Sequence, residues 1–355
     1  MKISRFLLVV FLGISVFLAG LVYAPTKIIL TEAEPTKASY TLTDLGTLGG
    51  TYSRAQAINN RGKVVGASQT TSGETHAFLW TKRAGMIDLG TPGGPYSYAS
   101  DINNRGQVVG ATSPGIRAFL WTKRAGMIDL GTLGGFSSGA MAINNRGQVV
   151  GWARTASNEV HAFLWTKRAG MIDIGTLGGS YSLARGINNR GQVVGDSNIT
   201  SGKTHAFLWT KQAGMIDLGT LGESSIAYDI NNRGQVVGDS ENALGETHAF
   251  LWTKRAGMID LGTLGGPDSH ARGINNRGQV VGDSRITLGG PHAFLWTKKD
   301  GMIDFGTPSG LYSFAEDIND RGQVVGVTVT ALGETHAVIW TRIRYYDDFD
   351  DNDEE

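Results

Sequence analysis

One phrase recurs seven times along this chain with small changes. Asp-(Leu/Ile/Phe)-Gly-Thr begins at Asp44, Asp88, Asp129, Asp173, Asp217, Asp260 and Asp304, at spacings of 41 to 44 residues. Each copy continues with Ala-x-x-Ile-Asn, then a turn, then Val-Val-Gly, and closes on an apolar word ending in Trp80, Trp121, Trp165, Trp209, Trp252, Trp296 or Trp340. Self-similarity at this period marks a unit that buries its faces only against copies of itself.

Inside a unit the segments "ARGIN", "QVVGDS", "HAFLWT" and "MIDLGT" span four to six residues between turns rich in Gly, Asn or Lys, which is strand length and strand punctuation. No stretch of the repeats has a helical period. "AFLW" is apolar on both faces, so that strand is covered on both sides. Gly62 and Gly85 fall where a three-residue hairpin loop needs a positive φ. Each unit therefore reads as a four-stranded antiparallel meander. The expected fold is all-β, a seven-bladed β-propeller over residues 40–341. Its ends favour a closed ring over an open stack: "YTLTDLG" precedes the first full set of strands, while the last copy stops at "HAVIWT". The N-terminal strand is expected to complete the last blade and leave no unpaired edge.

Residues 1–24 place Lys2 and Arg5 before an apolar run and end in Val22-Tyr23-Ala24, the pattern of a secretory signal peptide. The run from Phe6 to Val22 is also at the lower limit for an uncleaved membrane anchor. Either reading exports the remainder. Residues 25–39 read as a linker and 342–355 as an acidic solvated tail, with seven acids in the last nine residues. The chain has no cysteine, which excludes a disulfide framework and a thiolate metal site.

The word order "DLGTLGG…INNRGQVVG…HAFLW" resembles the HAF family of extracellular repeats, whose label is the His-Ala-Phe found here at His76, His161, His205, His248 and His292. The second copy carries Arg117 instead, and the last reads His336-Ala337-Val338. The resemblance covers residues 40–341 and implies an extracellular or surface setting, without a chemistry.

Two faces of different character are expected. The A-to-B and C-to-D turns barely change between copies and carry Arg61, Arg105, Arg146, Arg190, Arg233, Arg277 and Arg321, with pairs such as Lys82-Arg83, Lys167-Arg168 and Lys254-Arg255. They read either as solvated turns or as a field for an anionic membrane surface or the chain's own acidic tail. Nucleic acid fits poorly, since no aromatic residue lies among these turns. The other face varies and offers Tyr52, Tyr96, Tyr98, Phe136, Tyr181, Tyr312 and Phe314 near the axis, with Trp152 on a second strand. These rings either fill gaps between blades or form a mouth for a glycan or a surface protein. Asp101, Asp229 and Asp317 share one position of the first strand and could converge on the axis to hold a hard cation such as Ca²⁺, against the plainer reading of a wet channel lining.

No nucleophile elbow, zinc-protease, P-loop or EF-hand motif occurs. The His of "HAF" and the Asp of "MIDLG" recur too often for catalysis and suit a hydrogen bond tying strands within a blade. The acids and His that occur once, Asp268, His270, Glu223 and Glu316, leave a polysaccharide hydrolase open as the alternative to a non-catalytic binding module. A purely structural surface protein is the third reading.

Overall fold

The computed structural model describes residues 27–29, 40–92, 94–308 and 310–343. The expected signal segment 1–24 and most of the acidic tail lie outside them. Among the described residues every regular element is a strand, and no helix is long and apolar enough to cross a membrane.

The first unit shows the pattern. Strand A (Gly49–Ile58), strand B (Val64–Thr70), strand C (Thr75–Thr81) and strand D (Gly85–Asp88) pair antiparallel in that order. Equivalent meanders follow between 96 and 129, 134 and 173, 178 and 217, 225 and 260, and 265 and 304. The last unit supplies only Gly310–Ile318, Val324–Thr330 and Thr335–Arg342, and Tyr40–Asp44 joins it as the fourth strand, with Leu42 opposite Trp340. Residues 25–39 are not wholly linker, because Lys27–Ile29 pairs with the outer edge of Tyr40–Asp44.

The meanders stand face to face with their A strands innermost, as in a β-propeller. The word "AFLW" sits at the contact between them. Phe207 is fully buried and packs with Val150, Ala162 and Leu164 of the preceding unit, while Leu208 and Ala206 on the opposite face meet Ile230 and Phe250 of the next. Where Val338 replaces the phenylalanine, Trp340 is completely buried and packs with Tyr40 and Phe305. The other tryptophans keep some exposure.

Strand A is longer than expected, up to ten residues, because the glycine pair after "DLGTL" continues the ladder: Gly49 lies opposite Thr70. A bulge at Gln56 and its equivalents breaks the register between Ala55 and Ala57. The bulge presses the carbonyl of Arg54 onto Gly66, where a Cβ would meet that oxygen at 1.9 Å. The glycine of "VVG" is thus fixed by close packing of strands A and B. Turn glycines 62 and 85 have φ of 73° and 68°, as their hairpins require.

The His-Asp pairs tie strand C to strand D inside each unit. His205 Nδ1 lies 2.7 Å from Asp217 Oδ2, and the same contact recurs at His76, His161, His248 and His292. Arg117 keeps it by donating from Nε to Asp129 at 2.9 Å. His336 makes it to Asp44 of the N-terminal strand, at 2.6 Å.

Candidate functional site

The bulge in strand A decides what lines the axis. It turns one residue of each unit inward, and these seven comprise six residue types: Gln56, Ser100, Met141, Arg185, Tyr228, Arg272 and Glu316. With Tyr52, Arg54, Tyr98 and the three aspartates they enclose a mouth of about 540 Å³ on the variable face. A second cavity of about 530 Å³ opens beside it, lined by Asp268, His270, Asp283, Arg285, Phe314 and residues of strands B and C. Tyr52, Arg54, Arg272 and Glu316 line both, so the two adjoin.

Charge in this site is paired. Arg54 Nη2 donates to Glu316 Oε1, joining the first unit to the last, and Arg185 Nε donates to buried Asp196. His270 Nδ1 lies 2.5 Å from Asp239 Oδ2, and Arg272 faces Asp283 at 3.7 Å. The guanidinium carbons of Arg272 and Arg185 stand 4.6 and 5.0 Å from the centre of the Tyr228 ring. The hydrogen bond to Asp239 raises the His270 pKa despite burial, favouring its charged form. Burial and the neighbouring Asp196 push the Tyr181 hydroxyl up to about 12.

Asp101, Asp229 and Asp317 all reach the mouth, but they do not form a cation cage. Asp101 accepts from Ile102 N with one oxygen and from Ile143 N of the next unit with the other, at 2.6 and 2.8 Å. Asp229 bridges Ile230 and Ile274, and Asp317 bridges Ile318 and Ile58, in the same way. Each carboxylate is a clip between adjacent units. Among the described residues no group of three or more His, Cys, Asp or Glu is placed to hold a metal ion. Burial raises the Asp101 carboxyl to about 7, against the pull of its two amide bonds. Burial and the charge of Asp229 hold Asp317 well above the ordinary range.

The aromatic residues expected at the mouth divide. Tyr52 and Tyr98 line it, and Phe314 lines the side cavity. Tyr181 is hydrogen-bonded to Asp196, Trp152 lies against Gly139, and Tyr312 lies against Gly290. Phe136 is 67% exposed under the guanidinium of Arg154, and Tyr96 is exposed on the rim. None of these five lines either cavity. Of the acids that occur once, Glu316 and Asp268 line the site, whereas Glu223 pairs with Lys203 outside it. Sequence reasoning missed Arg54, Arg185, Tyr228 and Arg272. The signal for Arg185, Tyr228 and Arg272 was departure from the repeat at the position before the aspartates, and Arg54 departs from it two positions earlier.

The opposite mouth is regular. The seven turn arginines from Arg61 to Arg321 are all exposed around a smaller axial pocket of about 150 Å³, lined by Ile-Asn-Asn of every unit except the last, where Asp320 replaces the second Asn. Two circuits of hydrogen bonds run round it. Asn59 Nδ2 donates to Asn103 O, and the same bond passes from unit to unit until Asn319 Nδ2 donates to Asn59 O. Asn60 N donates to Asn104 Oδ1, and that circuit returns through Asp320 N to Asn60 Oδ1.

No family model matches the chain, and no curated protein matches it by sequence. Solved structures do. Virginiamycin B lyase from Staphylococcus aureus aligns with a TM-score of 0.59 at 11% identity over 86% of this chain and 100% of its own. The β-propeller domain of the Trilobed protease from Pyrococcus furiosus gives 0.55 at 10% identity, over 83% and 98%. A puromycin hydrolase mutant gives 0.53 at 13% identity, over 84% of this chain and 55% of its own length. At such identities the likeness concerns backbone architecture alone, and the fold of this chain is that of a β-propeller.

Proposed function

We propose that the chain is a seven-bladed propeller, its last blade completed by Tyr40–Asp44, that is exported and acts as a non-catalytic binding module for a glycan. Seven sequence copies, the ladder from Tyr40–Asp44 to Thr335–Arg342, and two amide circuits that return to their starting residues support the ring. The resemblance to HAF repeats and the apolar N-terminal segment support an extracellular or surface setting.

The observation that carries the binding reading is the pair of adjoining cavities sharing Tyr52, Arg54, Arg272 and Glu316. Paired guanidinium and carboxylate groups offer donors and acceptors together with little net charge, and Tyr52, Tyr98 and Phe314 offer rings, which is what a polyhydroxylated ligand requires. The acids speak against hydrolysis. Asp101, Asp229 and Asp317 each commit both oxygens to backbone amides, Glu316 is held by Arg54, and Asp268 and Asp283 face Arg285 and Arg272, so each of these acids already has a partner.

A glycan array probed with the wild-type chain and with Tyr52→Ala/Tyr98→Ala tests the reading. Glycan binding that disappears in the double variant is the expected result. Binding that survives it, or no binding to any glycan, would overturn the proposal.

A further inference from the structure

On the invariant face, the second circuit fixes the orientation of its amides. Because Asn104, Asn145, Asn189 and Asn232 each accept a backbone N–H through Oδ1, their Nδ2 groups are left as donors, and among the described residues these donate to no protein acceptor. They line one arc of the axial pocket. Opposite them stands Asp320, whose Oδ2 takes Asn60 Nδ2 at 2.7 Å and Asn276 Nδ2 at 3.0 Å. One arc is therefore rich in unused donors, and the only acid among the pocket's lining residues is already occupied.

Around this pocket stand the seven turn arginines, and beyond them the Lys and Arg residues of the C-to-D turns, all exposed and none in an ion pair among the described residues. Like charges on one face sum to a field that steers anions to the axis. The volume of about 150 Å³ is several times the roughly 10–15 Å³ that one water needs. An anion with several oxygens satisfies more of these donors than a carboxylate, and guanidinium forks suit it.

We propose that this axial pocket binds a phosphate group, which a free phosphate or the headgroup of an anionic lipid would present. The site is on the face opposite the glycan mouth and stands or falls independently of it. Vesicles of phosphatidylcholine alone, the same vesicles with phosphatidylglycerol, and inorganic phosphate separate the sources, the neutral vesicles also reporting what the apolar segment 6–22 contributes.

The expected result is binding to the anionic vesicles above the neutral baseline, with inorganic phosphate competing. Phosphate binding without vesicle binding assigns the pocket to a soluble phosphate. Asp320→Asn restores the residue that six other copies carry, so folding is preserved, and it should tighten binding about fivefold by removing one negative charge within a few ångströms. Arg105→Gln/Arg146→Gln/Arg190→Gln should weaken it at least tenfold with unchanged thermal unfolding. The proposal is wrong if the vesicles bind alike and phosphate does not bind, or if Asp320→Asn leaves affinity unchanged or lower.

Discussion

A methyl group on Gly238 would stand 1.9 Å from the carbonyl oxygen of Ile226, a backbone atom with nowhere to go. Gly238→Ala should therefore cost about 2–3 kcal/mol in urea unfolding, although it adds only one carbon to a strand. Nothing in the letters "VVG" announces this, because the strain comes from a bulge on the neighbouring strand. Asp101 makes a second prediction at this scale. Its folded pKa, about 7, lies above the ordinary carboxylate value because of burial, so the folded state retains a proton that the unfolded chain gives up. The contribution of Asp101 to stability is then fullest at acid pH and is lost as pH rises from about 4 towards 7, by a few kcal/mol. In Asp101→Asn the slope should be shallower when unfolding free energy is followed against pH, with Asp229 and Asp317 still contributing to what remains. A slope equal to wild type would remove the assignment.

Strands and their turns were largely legible. Period, turn glycines and the two-sided word "AFLW" fixed the meander, and the recurrence of His and Asp pointed to the tie between strands C and D. The mouth was less so, since it depends on residues from different units converging where the bulge turns them inward. The aromatic residues drew attention while Arg185 and Arg272, flanking Tyr228, passed as ordinary variation. The N-terminal strand Tyr40–Asp44 is the element most open to test. Leu42 is buried beside Trp340, and Leu42→Asp should cost about 3 kcal/mol or more and lower the cooperativity of unfolding. His336 should lend this strand a pH dependence. Its hydrogen bond to Asp44 raises its pKa, so its stabilisation is complete below about 6.5 and is lost as pH rises through the raised value. The difference in melting temperature between wild type and His336→Gln should accordingly be largest near pH 5 and shrink above 7.

Across the whole molecule, regularity and variation divide by face. The invariant face carries the hydrogen-bond circuits, the turn arginines and the small axial pocket, and the variable face carries the two larger cavities. If the circuit has no weak link, Asn319→Ala, at the junction of last and first units, should destabilise as much as Asn188→Ala in the middle of the sequence, within about 0.5 kcal/mol by urea unfolding. A much smaller effect at Asn319 would mean that the last and first units are held together chiefly by their other links, the Asp317 clip to Ile58 and the Arg54–Glu316 pair. Both circuits donate in one rotational sense, from each unit to the next, so they contain no residue that must come first. Tyr40 and Arg342 are register partners, a few ångströms apart, and the turn at Lys211 and Gln212 is exposed. A circular permutant with the old ends joined and the chain recut in that turn would make Gly214–Asp217 its new N-terminal strand. It should fold to the same circuits, because where the polypeptide starts is an accident of its gene and not of its hydrogen bonds.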